Sequence, residues 1–152
     1  MNQKDRNKKK LPQQNKPIEI IGKSSNSRWL WYGLAIVVLT TFAIYFKAVK
    51  FDFIFNWDDQ VYIIENNHVK DLYWANIKLF FTQFYVNNYQ PLTMLFYALE
   101  YKIGGGNAFI FHLNNILLHI ANSILVYILI RKISPKNAVV ALITAAFFAV
   151  HP

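Results

Sequence analysis

Three uncharged, apolar blocks separate the charged positions along this chain. The first two run over 29–46 and 108–130, and they hold 18 and 23 residues without Asp, Glu, Lys or Arg. A helix needs about 20 consecutive apolar residues to cross the hydrocarbon core of a bilayer. The third block, 137–152, is shorter. The pattern predicts an all-α integral membrane protein with about three transmembrane helices.

The same pattern divides the chain into six segments. A loop of 59 residues joins the first apolar block to the second, and a short basic turn joins the second to the third. A loop this long is expected to carry structure of its own. The predicted segments are a basic tail (1–28), a first transmembrane helix (29–47), an external loop (48–106), a second transmembrane helix (107–130), a turn (131–136) and a third transmembrane helix that we expect to be truncated (137–152).

The charge distribution predicts an orientation in the membrane. Residues 1–28 carry +6 of the net charge of +8, and the turn at 131–136 adds three basic residues. Segments rich in Lys and Arg next to a transmembrane helix stay in the cytoplasm. We therefore expect a cytoplasmic N-terminus and an external loop in a periplasm or a lumen, with a bacterial inner membrane favoured.

Two other interpretations of the N-terminal region are weaker. A cleaved signal peptide needs small residues before its cleavage site, and Phe46 occupies that position ahead of Ala48. A basic tail that binds single-stranded nucleic acid usually offers aromatic side chains for stacking, and none precedes Trp29. We expect an uncleaved membrane anchor whose partner is the lipid bilayer, and no nucleic-acid partner.

Composition excludes further classes of protein. Aromatic residues make up 17% of the chain, which is far too many for a disordered protein. Cysteine is absent, so disulfides, thiol nucleophiles and Cys-based zinc sites are excluded.

The external loop contains two amphipathic patterns. Residues 76–86 place apolar side chains at helical spacing, which predicts an amphipathic helix lying in the membrane interface; these side chains are Ile77, Phe80, Phe81, Phe84 and Tyr85. A core helix of a small loop domain is the alternative. Pro91 begins the second pattern, and Gly104, Gly105 and Gly106 end it in a turn that leads to the second span.

Two adjacent carboxylates, Asp58 and Asp59, follow the first span by about ten residues. Like charges held close together near an apolar surface raise the pKa of one of them. Such a pair can act as a general base or bind a divalent cation. The alternative, two solvated residues at the start of a turn, stays open.

The second span carries a polar stripe. Its members recur within an arc of about 80° on the helix, whereas Asn114 faces elsewhere; they are His112, Asn115, His119 and Asn122. Polar side chains inside a span either line a cavity or hydrogen-bond to neighbouring helices, and both alternatives stay open. His112 and His119 are too far apart on one helix for joint metal ligation, so no metal site is predicted there. His151, at the outer end of the third block, could bind a phosphate or cap its helix.

Four blocks of the sequence resemble one protein family. They match, in order and spacing, the N-terminal region of the transmembrane and tetratricopeptide-repeat protein O-mannosyltransferases and their bacterial relatives. The resemblance covers about residues 29–152. The blocks are Phe55–Ile63 (FNWDDQVYI), Asn88–Thr93 (NYQPLT), Phe111–Asn115 (FHLNN) with His119, and Ala149–Pro152 (AVHP).

The resemblance implies a fold and an activity. Such proteins are similar to GT-C glycosyltransferases, polytopic enzymes that transfer a sugar from a polyprenyl-phosphate donor to a protein hydroxyl. It implies that Asp58 is the catalytic base and that Asp59 orients it or contacts the acceptor. It also implies that hydrogen-bond donors bind the leaving phosphate. The candidate phosphate-binding residues are His112, Asn115, His119 and His151.

Two functions follow as alternatives. The chain is interpreted as an N-terminal fragment of such a glycosyltransferase, with mannose as the expected sugar. Three spans are too few to enclose a donor cavity, so we expect the isolated fragment to be inactive. The alternative is a small non-catalytic membrane protein that packs against larger membrane partners. No cofactor is predicted beyond a divalent cation at the acidic pair.

Overall fold

The computed structural model describes residues 28–151. The basic tail lies outside the described residues except for Arg28, and so does Pro152 at the end of the fourth block. The described chain is mostly helical, and residues 28–151 contain no β-strand. Its elements are α1 (Arg28–Tyr45) continued by a 3₁₀ turn (Phe46–Lys50), a π-helical turn (Gln60–Ile64), α2 (Asn67–Lys70), α3 (Trp74–Thr82), α4 (Pro91–Gly104), α5 (Ala108–Ile133) and α6 (Ala138–Val150).

Within residues 28–151, two helices are long and apolar enough to cross a membrane. They are the 23 residues of Arg28–Lys50 and the 26 residues of Ala108–Ile133. The third block forms α6, which has 13 residues. At 1.5 Å per residue this helix is about 20 Å long, whereas the hydrocarbon core of a bilayer is about 30 Å thick. The structure thus confirms two candidate spans, and the third span stays a prediction.

The helices α1, α5 and α6 pack together through small side chains. Ala141, Ala145 and Ala149 recur every four residues on α6, and all three are fully buried. A Cβ atom added to Gly33 of α1 would lie 2.5 Å from a methyl carbon of Leu142. Small residues let the backbones of packed helices approach closely. This close approach brings the ends of α1 and α6 together beside the first half of α5.

The loop between α1 and α5 has a hydrophobic core of its own. Side chains from the π-helical turn, α2, α3 and α4 meet one side chain of α5; the buried members are Tyr62, Ile63, Val69, Phe80, Met94, Ala98 and Phe111. Phe111 is 3% exposed, and its ring lies 5.2 Å from that of Phe53. The loop is therefore structured, and it is docked on the first turns of α5.

The amphipathic helix expected at residues 76–86 differs from the observed α3. Helix α3 covers Trp74–Thr82, and Gln83 is extended. A tight turn follows, in which Tyr85 and Asn88 exchange backbone hydrogen bonds of 2.9 and 2.8 Å. Phe80 is fully buried in the loop core instead of lying on a membrane face. The helix thus begins and ends earlier than expected, at Trp74 and Thr82. Phe80 is buried in the loop core, as the alternative of a core helix requires.

Helix α4 begins and ends where the sequence pattern indicates. Pro91 occupies its first turn, and Gly105 ends it in the left-handed conformation with φ +60°. Glycine adopts this conformation without the steric cost that a Cβ imposes. The turn reverses the chain within three residues, so α4 lies directly against the start of α5.

Candidate functional site

The acidic pair lies in a loop whose backbone is held in place by hydrogen bonds to side chains of the same loop. The Oδ2 atom of Asp59 accepts a hydrogen bond of 2.9 Å from the backbone N–H of Ile54. The Oε1 atom of Gln60 accepts one of 2.7 Å from the N–H of Asn56, whose φ is +62°. Asp58 is exposed and accepts no hydrogen bond from the described residues. Asp59 is thus engaged in holding the loop, whereas Asp58 is exposed.

Helix α4 lies next to this acidic pair. The pKa of Tyr97 on α4 is raised, first by burial and then by the negative charges of Glu100, Asp59 and Asp58. A charge acts on a neighbouring group only over short distances in a protein surrounded by electrolyte. The three carboxyl groups therefore share one region of the loop.

Glu100 is a functional candidate that the sequence patterns did not reveal. It is 6% exposed, and its Oε1 atom accepts a hydrogen bond from the side-chain amide of Asn114. Burial raises the pKa of Glu100 to about 7, although the hydrogen bond from Asn114 acts in the opposite direction. The sequence offered one indication of Glu100: it lies inside the apolar pattern of α4, where a carboxylate is unexpected.

The four predicted phosphate-binding residues line one cavity. This cavity has a volume of about 290 Å³ and lies where α1 and α6 end beside the first half of α5. It is lined by Tyr45, Ala48, His112, Asn115, Ile116, His119 and His151. Asn122, the last member of the stripe, lies in a separate groove, and Asn114 faces Glu100. The structure thus brings His112 and His119 of α5 and His151 at the end of α6 together around one cavity.

His119 is fixed within this cavity. Its Nε2 atom lies 3.0 Å from the carbonyl oxygen of Ala149, and a carbonyl only accepts, so Nε2 carries the hydrogen. Its ring packs between Tyr45 and Phe148, with ring centres 5.2 and 5.4 Å away. The Nε2 atom of His112 is buried and has no hydrogen-bond partner in the described residues. The cavity is therefore lined by one restrained imidazole and by a second imidazole whose Nε2 atom is buried.

The acidic pair does not line the histidine cavity. The two regions are connected through Tyr97, whose ring centre lies 6.1 Å from that of Phe111, the residue before His112. Both regions lie at the end of the helix bundle that carries the external loop.

No metal centre emerges from the described part of the chain. Within residues 28–151, no group of three or more His, Asp or Glu side chains is arranged to hold a metal ion. The divalent cation that the acidic pair could bind stays a prediction. The chemistry that the cavity offers is hydrogen bonding from imidazole and amide groups.

Comparison with known proteins gives a partial similarity. The chain is 38% identical over 65 residues to the Homo sapiens protein named Protein O-mannosyl-transferase TMTC1, and 37% identical over 65 residues to the Mus musculus protein of the same name. These matches cover 43% of this chain and 7% of each relative. No family model and no solved structure matches the chain. The chain is thus similar, over less than half of its length, to a small part of these two O-mannosyl-transferases.

Proposed function

We propose that this chain forms part of a membrane glycosyltransferase of the GT-C type, which transfers a sugar, mannose in the first place, from a polyprenyl-phosphate donor to a protein hydroxyl. The main observation behind the proposal is the ordered acidic pair on a loop docked at the same end of the bundle as the histidine cavity. The partial similarity to O-mannosyltransferases supports it.

Asp58 serves as the catalytic base in this proposal. Its exposed carboxylate takes the proton of the acceptor hydroxyl while the hydroxyl oxygen bonds to the anomeric carbon. The bond between that carbon and the phosphate oxygen breaks, and the phosphate leaves with the bonding electrons. Asp59, held by the N–H of Ile54, keeps the loop in position for this attack.

The histidine cavity binds the phosphate of the donor. Ligand pockets usually measure about 300–1,000 Å³, and at about 290 Å³ this cavity suits a phosphate head group better than a whole lipid-linked sugar. The amide of Asn115 and the imidazoles of His112 and His151 donate hydrogen bonds to phosphate oxygens, while His119 fixes the wall. Donors already in place stabilise the charge that develops on the leaving group.

We further propose that these residues act within a longer polytopic enzyme, of which they are the N-terminal part. The chain spans about 7% of the curated relatives it matches, and more helices would complete the donor cavity. The N-terminus lies in the cytoplasm, the external loop lies in a periplasm or lumen, and α6 continues as a third span. Helix α3 rests on the membrane surface through exposed aromatic residues such as Trp74 and Phe81.

The test of the proposal is Asp58→Asn, with Asp71→Asn as a matched control. Asp71 is another exposed aspartate of the external loop. Membranes that contain the longer enzyme of which these residues are proposed to be part are supplied with a mannosyl-phospholipid and a hydroxyl-bearing acceptor protein. Asp58→Asn should lower transfer by about 100-fold or more, because removing a general base costs that much, and Asp71→Asn should leave it unchanged. Transfer that survives Asp58→Asn shows that the assigned base is wrong.

A non-catalytic role within a larger membrane assembly is the second candidate. One observation favours it: α4 carries an exposed apolar stripe at helical spacing outside the candidate spans, formed by Leu92, Phe96, Leu99 and Ile103. Such a stripe fits the surface of a partner helix. If this role is correct, replacing both aspartates changes nothing, whereas Phe96→Ser in the exposed stripe weakens association with the partner.

A further inference from the structure

Glu100 occupies an unusual position for a carboxyl group. It lies between α4 and α5, 6% exposed, and only one of its two oxygens has a hydrogen-bond partner, the side-chain amide of Asn114. The Oε2 atom is buried and has none in the described residues. An ionised carboxylate offers about four acceptor sites, and burying it with a single amide donor is costly. The geometry is better suited to a neutral carboxylic acid.

The surrounding charges do not compensate an anion at this position. Helix α4 packs against α2, α3 and α5. Within residues 28–151 no basic side chain forms an ion pair with Glu100. The pKa of Glu100 is shifted by burial and by the hydrogen bond from the Asn114 amide. The negative charges of Asp58, Asp59 and Glu100 all raise the pKa of Tyr97, so the charges near α4 include further carboxylates. The other titratable groups on these helices are His68, Lys70, Lys78, Tyr101, Lys102, His112, His119, Tyr127, Arg131 and Lys132.

We propose that Glu100 is a positioning residue: in its neutral form, hydrogen-bonded to Asn114, it attaches α4 and the acidic loop to α5, and its ionisation loosens that attachment. Insofar as the inference concerns sugar transfer, it rests on the proposed function. The attachment itself is a property of the fold and can be measured without a substrate.

The direction of the pH dependence follows from the burial. Burial raises the pKa of Glu100 from the ordinary value of 4.5 to about 7 in the packed state. With α4 detached, the carboxyl is exposed and titrates at its ordinary value. The attachment is therefore complete below about pH 4.5, weakens as the pH rises from there to about 7, and changes no further above that. A raised pKa thus means that acid favours the attachment.

Hydrogen exchange of the α4 amides measures this attachment. The whole chain is reconstituted in lipid nanodiscs, and exchange of residues 91–104 is followed at pH 5 and pH 8, after correction for the intrinsic rates. Protection should fall at least about tenfold from pH 5 to pH 8, because each unit by which the pKa is raised weakens the attachment equilibrium about tenfold once Glu100 is ionised. Residues 138–150 of α6 serve as the internal reference.

Glu100→Gln is the matched variant, because glutamine reproduces the shape of the neutral acid and does not titrate. It should show the same protection at pH 5 and at pH 8, at or above the protection of the unmodified protein at pH 5. Equal protection of the unmodified α4 at both pH values overturns the proposal, whether or not the variant folds. An equal loss of protection in Glu100→Gln overturns it as well. Neither result bears on Asp58, which the transfer assay tests separately.

Discussion

Two adjacent asparagines on α5 have different surroundings. Asn114 donates its amide hydrogen to Glu100, whereas Asn115 lines the histidine cavity. Consecutive residues on an α-helix point about 100° apart, so neighbours in sequence reach different surroundings. The separation of these two side chains on the helix could be predicted from spacing alone. The partner of Asn114 could not, because it depends on how α4 folds back against α5.

This difference leads to a prediction about stability. Asn114→Leu removes the one donor that satisfies the buried Glu100, and it should destabilise the protein by about 1–3 kcal/mol. Asn115→Leu changes an exposed position of the same helix and should alter stability little. Thermal unfolding of both variants in detergent, at pH 5 and at pH 8, measures the effect. Equal melting temperatures for the two variants would show that the bond to Glu100 contributes nothing.

At the scale of the elements, the apolar periodicity identified helices but not their partners. Both long apolar blocks became helices that can cross a membrane, and Pro91 and Gly105 mark the ends of α4. The periodicity of residues 76–86 does not tell a membrane face from a core face, because both are apolar. Phe80 belongs to the core face, and the positive φ of Val86 and Asn87 ends the segment in a turn.

The packing of α6 gives a prediction at this scale. Ala145 is fully buried in the bundle, whereas Val140 is 52% exposed on the same helix. Ala145→Leu adds volume where the helices are in contact, and overpacking of this kind costs about 1–3 kcal/mol. Val140→Leu adds volume at the surface and serves as the control. The melting temperature of Ala145→Leu should therefore drop clearly below that of Val140→Leu, and the reverse order would contradict the observed helix packing.

At the scale of the whole molecule, the expected orientation depends on charge, because no membrane is part of the structure. The absence of cysteine makes it directly testable. Asp71→Cys places a thiol in the external loop, and Asn137→Cys places one between α5 and α6. When the variants are produced in a bacterial inner membrane, a membrane-impermeant maleimide should label the first variant and not the second in intact cells, as the positive-inside rule requires. After permeabilisation both should react. Labelling of the second variant in intact cells would show that the orientation is the opposite of the expected one.

One contact also determines when the loop can finish folding. Phe111 belongs to α5, yet it is 3% exposed within the core of the loop that precedes it in the chain. During synthesis, residues 51–107 leave the ribosome before Phe111 does, so their core is open on one side at first. An incomplete core exposes apolar surface and favours misfolding. The formation of the first turns of α5 is therefore also the step that closes the core of the loop.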